Sequence, residues 1–91
     1  MRIVTLDCAA ITSRKEFHRV LAEALTFPDW YGNNLDALFD CLTDLEAATA
    51  LTLVNWQALP VNLEQYGQKA LQVMQDAAEE NEDFRLILPQ Q

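Results

Sequence analysis

The sequence contains few of the residues from which catalytic and metal sites are usually built. It holds one histidine and two cysteines among 91 residues. None of them stands at a spacing typical of a metal site, and no glycine-rich nucleotide-binding motif or P-loop occurs. Cys8 and Cys41 are too few for a disulfide framework. We therefore predict reduced thiols, with Cys8 at a strand end and Cys41 as a small core residue, and no cofactor.

Positive charge is also scarce. Six Lys and Arg stand against 14 Asp and Glu, which gives a formal net charge of −8. This balance argues against nucleic acid or an anionic membrane as a partner, since both need clusters of Lys and Arg. It fits a cationic partner, and it fits equally an ordinary acidic surface. No run approaches the roughly 20 apolar residues of a membrane span, and residues 2–6 predict a strand instead of a signal peptide. We expect a cytoplasmic protein.

The predicted elements follow the order strand, helix, strand, helix, strand. The predicted strands span residues 2–7, 50–56 and 84–88. One helix is predicted after Ser13, a second from Leu35 to about Ala47, and a long third one from about Tyr66. Residues 60–65 are predicted to form a loop with a short helical turn. Such alternation favours a parallel sheet with right-handed crossovers. We predict one α/β domain over residues 1–91, a two-layer fold with a three-stranded parallel sheet packed with helices.

The apolar periodicity predicts which side chains form the core. Leucines at helical spacing between residues 35 and 45 mark one helix face, and similar spacing marks the long last helix. The predicted core residues are Leu35, Leu38, Leu42, Leu53, Leu71, Met74 and Ile87.

Residues 27–45 combine an aromatic turn with an acidic helix. Asp36, Asp40 and Asp44 stand four residues apart and therefore line one helix face. Each like-charge pair at this spacing costs about 0.2–0.5 kcal/mol, and only Asp36 lies in the first turn, where the helix dipole favours a negative charge. No local interaction of the helix offsets this cost, which indicates that the surface serves to bind a partner. The preceding aromatics Trp30 and Tyr31 are candidate anchors, since amphipathic aromatics in loops often anchor interfaces. The alternative is that one of them turns inward as a core residue, and of the two this would be Tyr31.

Catalytic hypotheses have little support in these residues. His18 stands in an amphipathic helix without a second group for acid–base work, so we predict an ordinary surface histidine. Asp36 and Asp40 offer the oxygen ligands that a hard divalent cation prefers, which keeps open the hypothesis of a small metal-dependent enzyme.

The run from Trp30 to Thr43 resembles the signature of the barstar family, intracellular inhibitors of a secreted bacterial ribonuclease. Residues 51–56 resemble that family's second strand and its tryptophan, and residues 71–77 and 83–88 resemble its last helix and strand. The resemblance covers nearly the whole chain. It implies a barstar-like three-stranded parallel sheet in the order 1-2-3 and a non-enzymatic inhibitor.

The resemblance also implies roles for individual residues. Asp40 would enter the ribonuclease pocket that binds RNA phosphate, and Asp36 would pair with a basic residue nearby. Trp30, in place of the family's tyrosine, would lie against the catalytic histidine region, and Asp76 would reach a basic residue from the last helix. The predicted partner-binding residues are Trp30, Tyr31, Gly32, Asn34, Asp36, Phe39, Asp40, Asp44 and Asp76.

Three positions depart from the family pattern. Phe39 stands where the family often has tryptophan, and Asp44 and Leu45 replace a glycine and a tryptophan. These changes leave the identity of the partner undetermined. It is either a basic, extracellular-type, barnase-like ribonuclease or a related cationic toxin, for which the chain would be the bacterial antitoxin. Alternatively, the chain is a regulatory module that binds another cationic protein without inhibiting a nuclease. We expect a monomer in the free state.

Overall fold

A computed structural model describes residues 1–89 and contains one parallel sheet. Its strands are β1 (Arg2–Asp7), β2 (Thr49–Val54) and β3 (Phe84–Ile87), in the order β1-β2-β3. Arg2 pairs with Thr49 and Thr49 with Phe84, so the three strands are aligned at their amino ends. The predicted sheet order and the bounds of the first strand are confirmed.

The helices cover one face of this sheet and leave the other open. Leu51, Leu53 and Phe84 are buried on the covered face. Ile3 and Ile87 are 73% and 40% exposed. The prediction of Ile87 as a core residue is therefore wrong. Side chains alternate along a strand, so buried Phe84 directs residue 86 inward and residue 87 outward.

The first helix, α1 (Arg14–Leu25), begins at a side-chain cap. The Ser13 hydroxyl accepts a hydrogen bond from the backbone N–H of Glu16 at 3.1 Å, which satisfies one of the free donors of the first turn. Phe17, Leu21 and Leu25 are buried along its inner side. The helix ends at Leu25 and is capped by Thr26, whose backbone is left-handed with φ of 57°.

The acidic helix, α2 (Leu35–Thr43), is shorter than predicted. It stops at Thr43 instead of about Ala47. The side-chain amide of Asn81 donates to the carbonyls of Leu42 and Leu45 at 3.0 and 3.1 Å. Because these bonds satisfy carbonyls that a longer helix would have to pair, the chain can leave the helix there.

Two packed helices follow β2. Residues predicted as a loop with a helical turn form part of α3 (Ala58–Leu63), and α4 (Gln65–Glu80) follows almost directly. Gly67 is buried in α4, and a Cβ on it would lie 2.2 Å from the carbonyl oxygen of Leu59. Only glycine lets the two helices approach so closely.

Five of the predicted core residues are buried on the inner sides of α2, β2 and α4; they are Leu38, Leu42, Leu53, Leu71 and Met74. Leu35 is half-buried and packs against this core from the first turn of α2. No helix within residues 1–89 is long and apolar enough to cross a membrane.

Candidate functional site

The three aspartates of α2 form an exposed acidic row. Asp36, Asp40 and Asp44 are all exposed, while Leu38 and Leu42 on the opposite side of the helix are buried. Within residues 1–89 the only salt bridges are those of Arg19, so no cation of the described chain neutralises the row. Three carboxylates in this arrangement favour contact with basic groups.

The backbone of α2 is fixed at both ends of the acidic row. The Asn34 side chain accepts from the N–H of Ala37 at 2.8 Å and donates to the carbonyl of Gly32 at 3.3 Å. At the other end the Thr43 hydroxyl lies within donating distance of the carbonyls of Phe39 and Asp40, at 2.9 and 3.1 Å. The acidic carboxylates therefore project from an ordered helix.

The aromatic turn before α2 places its two rings in opposite environments. Trp30 is 68% exposed, whereas Tyr31 is 8% exposed. The N–H of Tyr31 donates to the Pro28 carbonyl at 3.0 Å, and its ring packs on that of Phe27 with centroids 4.8 Å apart. Tyr31 is therefore the aromatic that turns inward, which was the alternative to its role as an anchor, and in this structure only Trp30 of the pair offers its ring to a partner.

His18 is buried, and the prediction of a surface histidine is wrong. Its Nδ1 lies 2.6 Å from the Tyr31 hydroxyl and its Nε2 lies 2.6 Å from the Tyr66 hydroxyl. Burial lowers the pKa of His18, because removal from water disfavours the charged imidazolium. One neutral ring nitrogen accepts and the other donates, so both tyrosine hydroxyls find a partner.

This His18–Tyr31–Tyr66 network connects the aromatic turn to two helices. Tyr66 lies at the start of α4, 48 residues beyond His18. The guanidinium of Arg14 stands 4.4 Å from the centroid of the Tyr66 ring. Sequence reasoning did not find the network, because no local pattern brings residues 18, 31 and 66 together.

A small cavity lies beside Trp30 at the end of the acidic row. Its volume is about 140 Å³. Phe27, Trp30 and Leu45 supply apolar surface, and Asp44 supplies a carboxylate. Phe39, another predicted contact, is half-buried and packs against the core.

Asp76 lies on α4, which packs against α2. It is exposed and accepts a hydrogen bond from the Gln72 amide at 2.9 Å. That Asp76 and Asp40 belong to one partner-binding surface remains a prediction.

The two thiols are buried and protonated. Burial raises the pKa of Cys8 to about 11. It also raises the pKa of Cys41, with a smaller contribution from the charges of Asp44 and Asp40. Among residues 1–89, no three His, Cys, Asp or Glu side chains cluster so that they could hold a metal ion.

Comparison with known proteins covers nearly the whole chain. The family model described as "Barstar (barnase inhibitor)" matches residues 1–89. A Bacillus subtilis (strain 168) protein named "Putative ribonuclease inhibitor YrdF" is 38% identical over 90 residues, which cover 97% of this chain and 99% of that protein. The chain belongs to the barstar family.

Proposed function

We propose that this protein inhibits a basic ribonuclease by placing the acidic row of α2 and the ring of Trp30 over the active site of the enzyme. The observation that carries the proposal is the unneutralised row of Asp36, Asp40 and Asp44 on an ordered helix next to an exposed tryptophan. Membership of the barstar family and the name of the Bacillus subtilis relative support a ribonuclease as the partner.

The chemistry of ribonuclease active sites explains why carboxylates suit this task. A site that binds an RNA phosphate presents Arg and Lys side chains, and a carboxylate held among them takes the place of the phosphate. In our proposal Asp40, at the middle of the row, occupies that position. Asp36 pairs with a second basic residue, and Asp76 extends the contact from α4.

The surroundings of the acidic row have separate roles. Trp30 supplies a large rigid contact, the kind of residue that commonly anchors interfaces. Gly32 and Asn34 shape the turn and fix the start of α2. Tyr31 acts indirectly, because its hydroxyl is bonded to His18 and so holds the turn from beneath. The protein performs no chemistry in this mechanism and only excludes the substrate.

The cavity beside Trp30 favours a second candidate function. Asp44 and Leu45, which line that cavity, differ from the glycine and tryptophan of the family pattern. A partner other than a ribonuclease could use this altered rim, and the protein would then be a regulatory module that binds a cationic protein.

A capture experiment tests both candidates. The purified chain is immobilised, basic proteins secreted by the source organism are passed over it, and the captured protein is assayed for ribonuclease activity with and without added chain. We expect capture of a ribonuclease that is inhibited at one-to-one stoichiometry. Capture of a protein without ribonuclease activity would favour the regulatory module.

Two matched variants give the experiment its control. Asp40→Asn removes one charge from the middle of the row, and Glu64→Gln removes one charge from an exposed position between α3 and α4. We expect Asp40→Asn to lose capture and Glu64→Gln to retain it. Equal capture by both variants would refute the central role of Asp40.

A further inference from the structure

The cavity beside Trp30 lies where two helices end. It is lined by Thr26, which caps the C-terminal end of α1, and by Asp44, which caps that of α2. The C-terminal end of a helix carries a partial negative charge. Neither helix has a basic residue in its last turn. The two negative ends are therefore not compensated by a cation from their own helices.

The side chains that line the cavity add a further negative charge. Within residues 1–89, Asp44 supplies the only carboxylate of the lining, and no Lys or Arg belongs to it. Burial is the main reason why the pKa of Cys41, which also lines the cavity, is raised, and the charge of Asp44 contributes next. The carboxylate is thus close enough to act on this wall. One negative charge between two helix ends favours a monovalent cation.

The walls of the cavity favour an organic cation over a metal ion. Phe27, Trp30 and Leu45 supply apolar surface, whereas calcium takes about six to eight oxygen ligands and Asp44 offers one carboxylate. Trp30 is 68% exposed, so its ring is accessible to a ligand. Tryptophan is the aromatic side chain that attracts cations most strongly.

The size of the cavity points to a single side chain of a protein partner. Its volume of about 140 Å³ is well below the roughly 300–1,000 Å³ of pockets that hold small molecules. It equals the volume of roughly five molecules of liquid water, which is room for a guanidinium group and part of its stem. Arginine stacks on aromatic rings and is less strongly hydrated than lysine, so it suits apolar walls better.

We propose that the cavity beside Trp30 receives an arginine side chain of the partner protein, with the guanidinium against the Trp30 ring and paired with Asp44. Asp44 and Leu45 replace a glycine and a tryptophan of the family pattern, so this contact distinguishes the chain from that pattern. The inference deepens the proposed function and rests on it for the presence of a partner. The isolated chain tests the cavity without a ribonuclease. If it binds an arginine probe but captures no ribonuclease, the cavity assignment stands and only the inhibition fails.

Titration of the isolated chain with Nα-acetyl-arginine amide, followed by two-dimensional NMR, tests the proposal. At constant ionic strength we expect saturable shifts of the Trp30 indole N–H and of the amides of residues 26, 27, 44 and 45. The indole N–H of Trp56, which donates to the Pro89 carbonyl at 2.9 Å, should not shift and is the internal control. Shifts that do not saturate, or that are equal at the two indoles, would overturn the proposal.

Two analogues of the probe separate charge from shape. Nα-acetyl-citrulline amide keeps the planar group without the charge, and it should bind at least fivefold more weakly. Nα-acetyl-lysine amide keeps the charge without the planar group, and it should also bind more weakly. Equal affinity for the citrulline analogue would show that the negative charge does not select the ligand. Equal or tighter binding of the lysine analogue would show that the cavity does not prefer arginine, and either result would overturn the assignment.

Charge-matched variants locate the site. Asp44→Asn should weaken binding of the arginine probe about two- to fivefold, and Trp30→Leu should weaken it further. Glu46→Gln removes the same charge from an exposed position outside the cavity and should leave the affinity unchanged. Equal weakening by Asp44→Asn and Glu46→Gln would indicate long-range attraction only and would overturn the assignment. Thermal unfolding of each variant verifies that the fold is retained.

Discussion

The acidic row and the His18–Tyr31–Tyr66 network lie on two sides of one short turn. They differ in whether their polar side chains are exposed and unpaired or buried and hydrogen-bonded. The aspartates of the row are exposed and have no cationic partner in the described chain. The network is largely buried, and each ring nitrogen of His18 has a hydroxyl partner at 2.6 Å. Trp30 and Tyr31, adjacent in sequence, divide between the two regions.

This comparison indicates which groups stabilise the fold and which are available to bind a partner. Like charges in water cost a helix only a few tenths of a kcal/mol, so the protein can carry the acidic row with little loss of stability. A buried polar group left without its partner costs about 1–3 kcal/mol. Substitutions in the row should therefore change binding, and substitutions in the network should change folding.

The largest expected effect is the loss of binding in Asp40→Ala. In the complex, truncation would leave basic residues of the ribonuclease buried and unpaired, at a cost of about 2–5 kcal/mol in binding free energy. In the free protein the same change removes repulsion from Asp36 and Asp44, which should stabilise α2 by a few tenths of a kcal/mol. Titration calorimetry with the captured ribonuclease measures the first quantity, and thermal unfolding measures the second. Early unfolding of Asp40→Ala would contradict this division between binding and folding.

Tyr31→Phe should give the opposite pattern, with a loss of stability. Removal of the hydroxyl leaves Nδ1 of buried His18 without a partner, and we expect unfolding to become easier by about 1–3 kcal/mol. Tyr66→Phe is the matched control. Tyr66 is only half-buried, so water can replace its hydroxyl and the loss should be smaller. Urea unfolding of both variants provides the comparison, and equal losses would show that burial does not distinguish the two bonds.

The stability of the folded protein should fall as the pH drops below about 6.5. The pKa of His18 is lowered from 6.5 in the folded state by burial, so the unfolded chain takes up a proton first. The neutral imidazole makes its full contribution to the free energy of unfolding above pH 6.5. That contribution is lost as the pH falls toward the lowered pKa. One proton is involved, so the slope cannot exceed about 1.36 kcal/mol per pH unit.

Urea unfolding between pH 7.5 and 5 measures this dependence, and His18→Gln should flatten it. An NMR titration of the His18 ring in the parent protein provides a measurement that does not depend on the variant. The carboxylate of Asp7 does not interfere, since its pKa is lowered from 3.8 by the hydrogen bond from Asn55 and it titrates below this range. A His18 pKa of 6.5 or above would contradict the effect of burial.

Asp44→Ala should have the smallest effect of the changes proposed here. Asp44 is exposed and caps the C-terminal end of α2. In our proposal it lies at the rim of the interface. Exposed charge pairs contribute about 0.2–1 kcal/mol and are weakened by salt. Calorimetry at low and high ionic strength should show a small loss of binding that largely disappears with salt. A loss as large as that of Asp40→Ala would place Asp44 at the centre of the interface.

Local sequence patterns predicted most of the fold. The bounds of β1 and the start of α1 after Ser13 agree with the structure, since each depends on residues close together in the chain. The sheet order 1-2-3, which the resemblance to the barstar family implied, agrees as well. The acidic row and the exposure of Trp30 also agree with the sequence pattern. The end of α2 does not, because it depends on Asn81, which is 36 residues from the nearer of the two carbonyls it satisfies.

By itself, the sequence determined the elements, the acidic row and the family, because helix periodicity, strand alternation and a contiguous motif are local properties of the chain. Tertiary structure alone decided three things. It turned Ile87 outward, ended α2 at Thr43 and buried His18 between two tyrosines. Each outcome depends on which distant residue supplies a hydrogen bond or covers a surface, and only the packed fold determines that pairing.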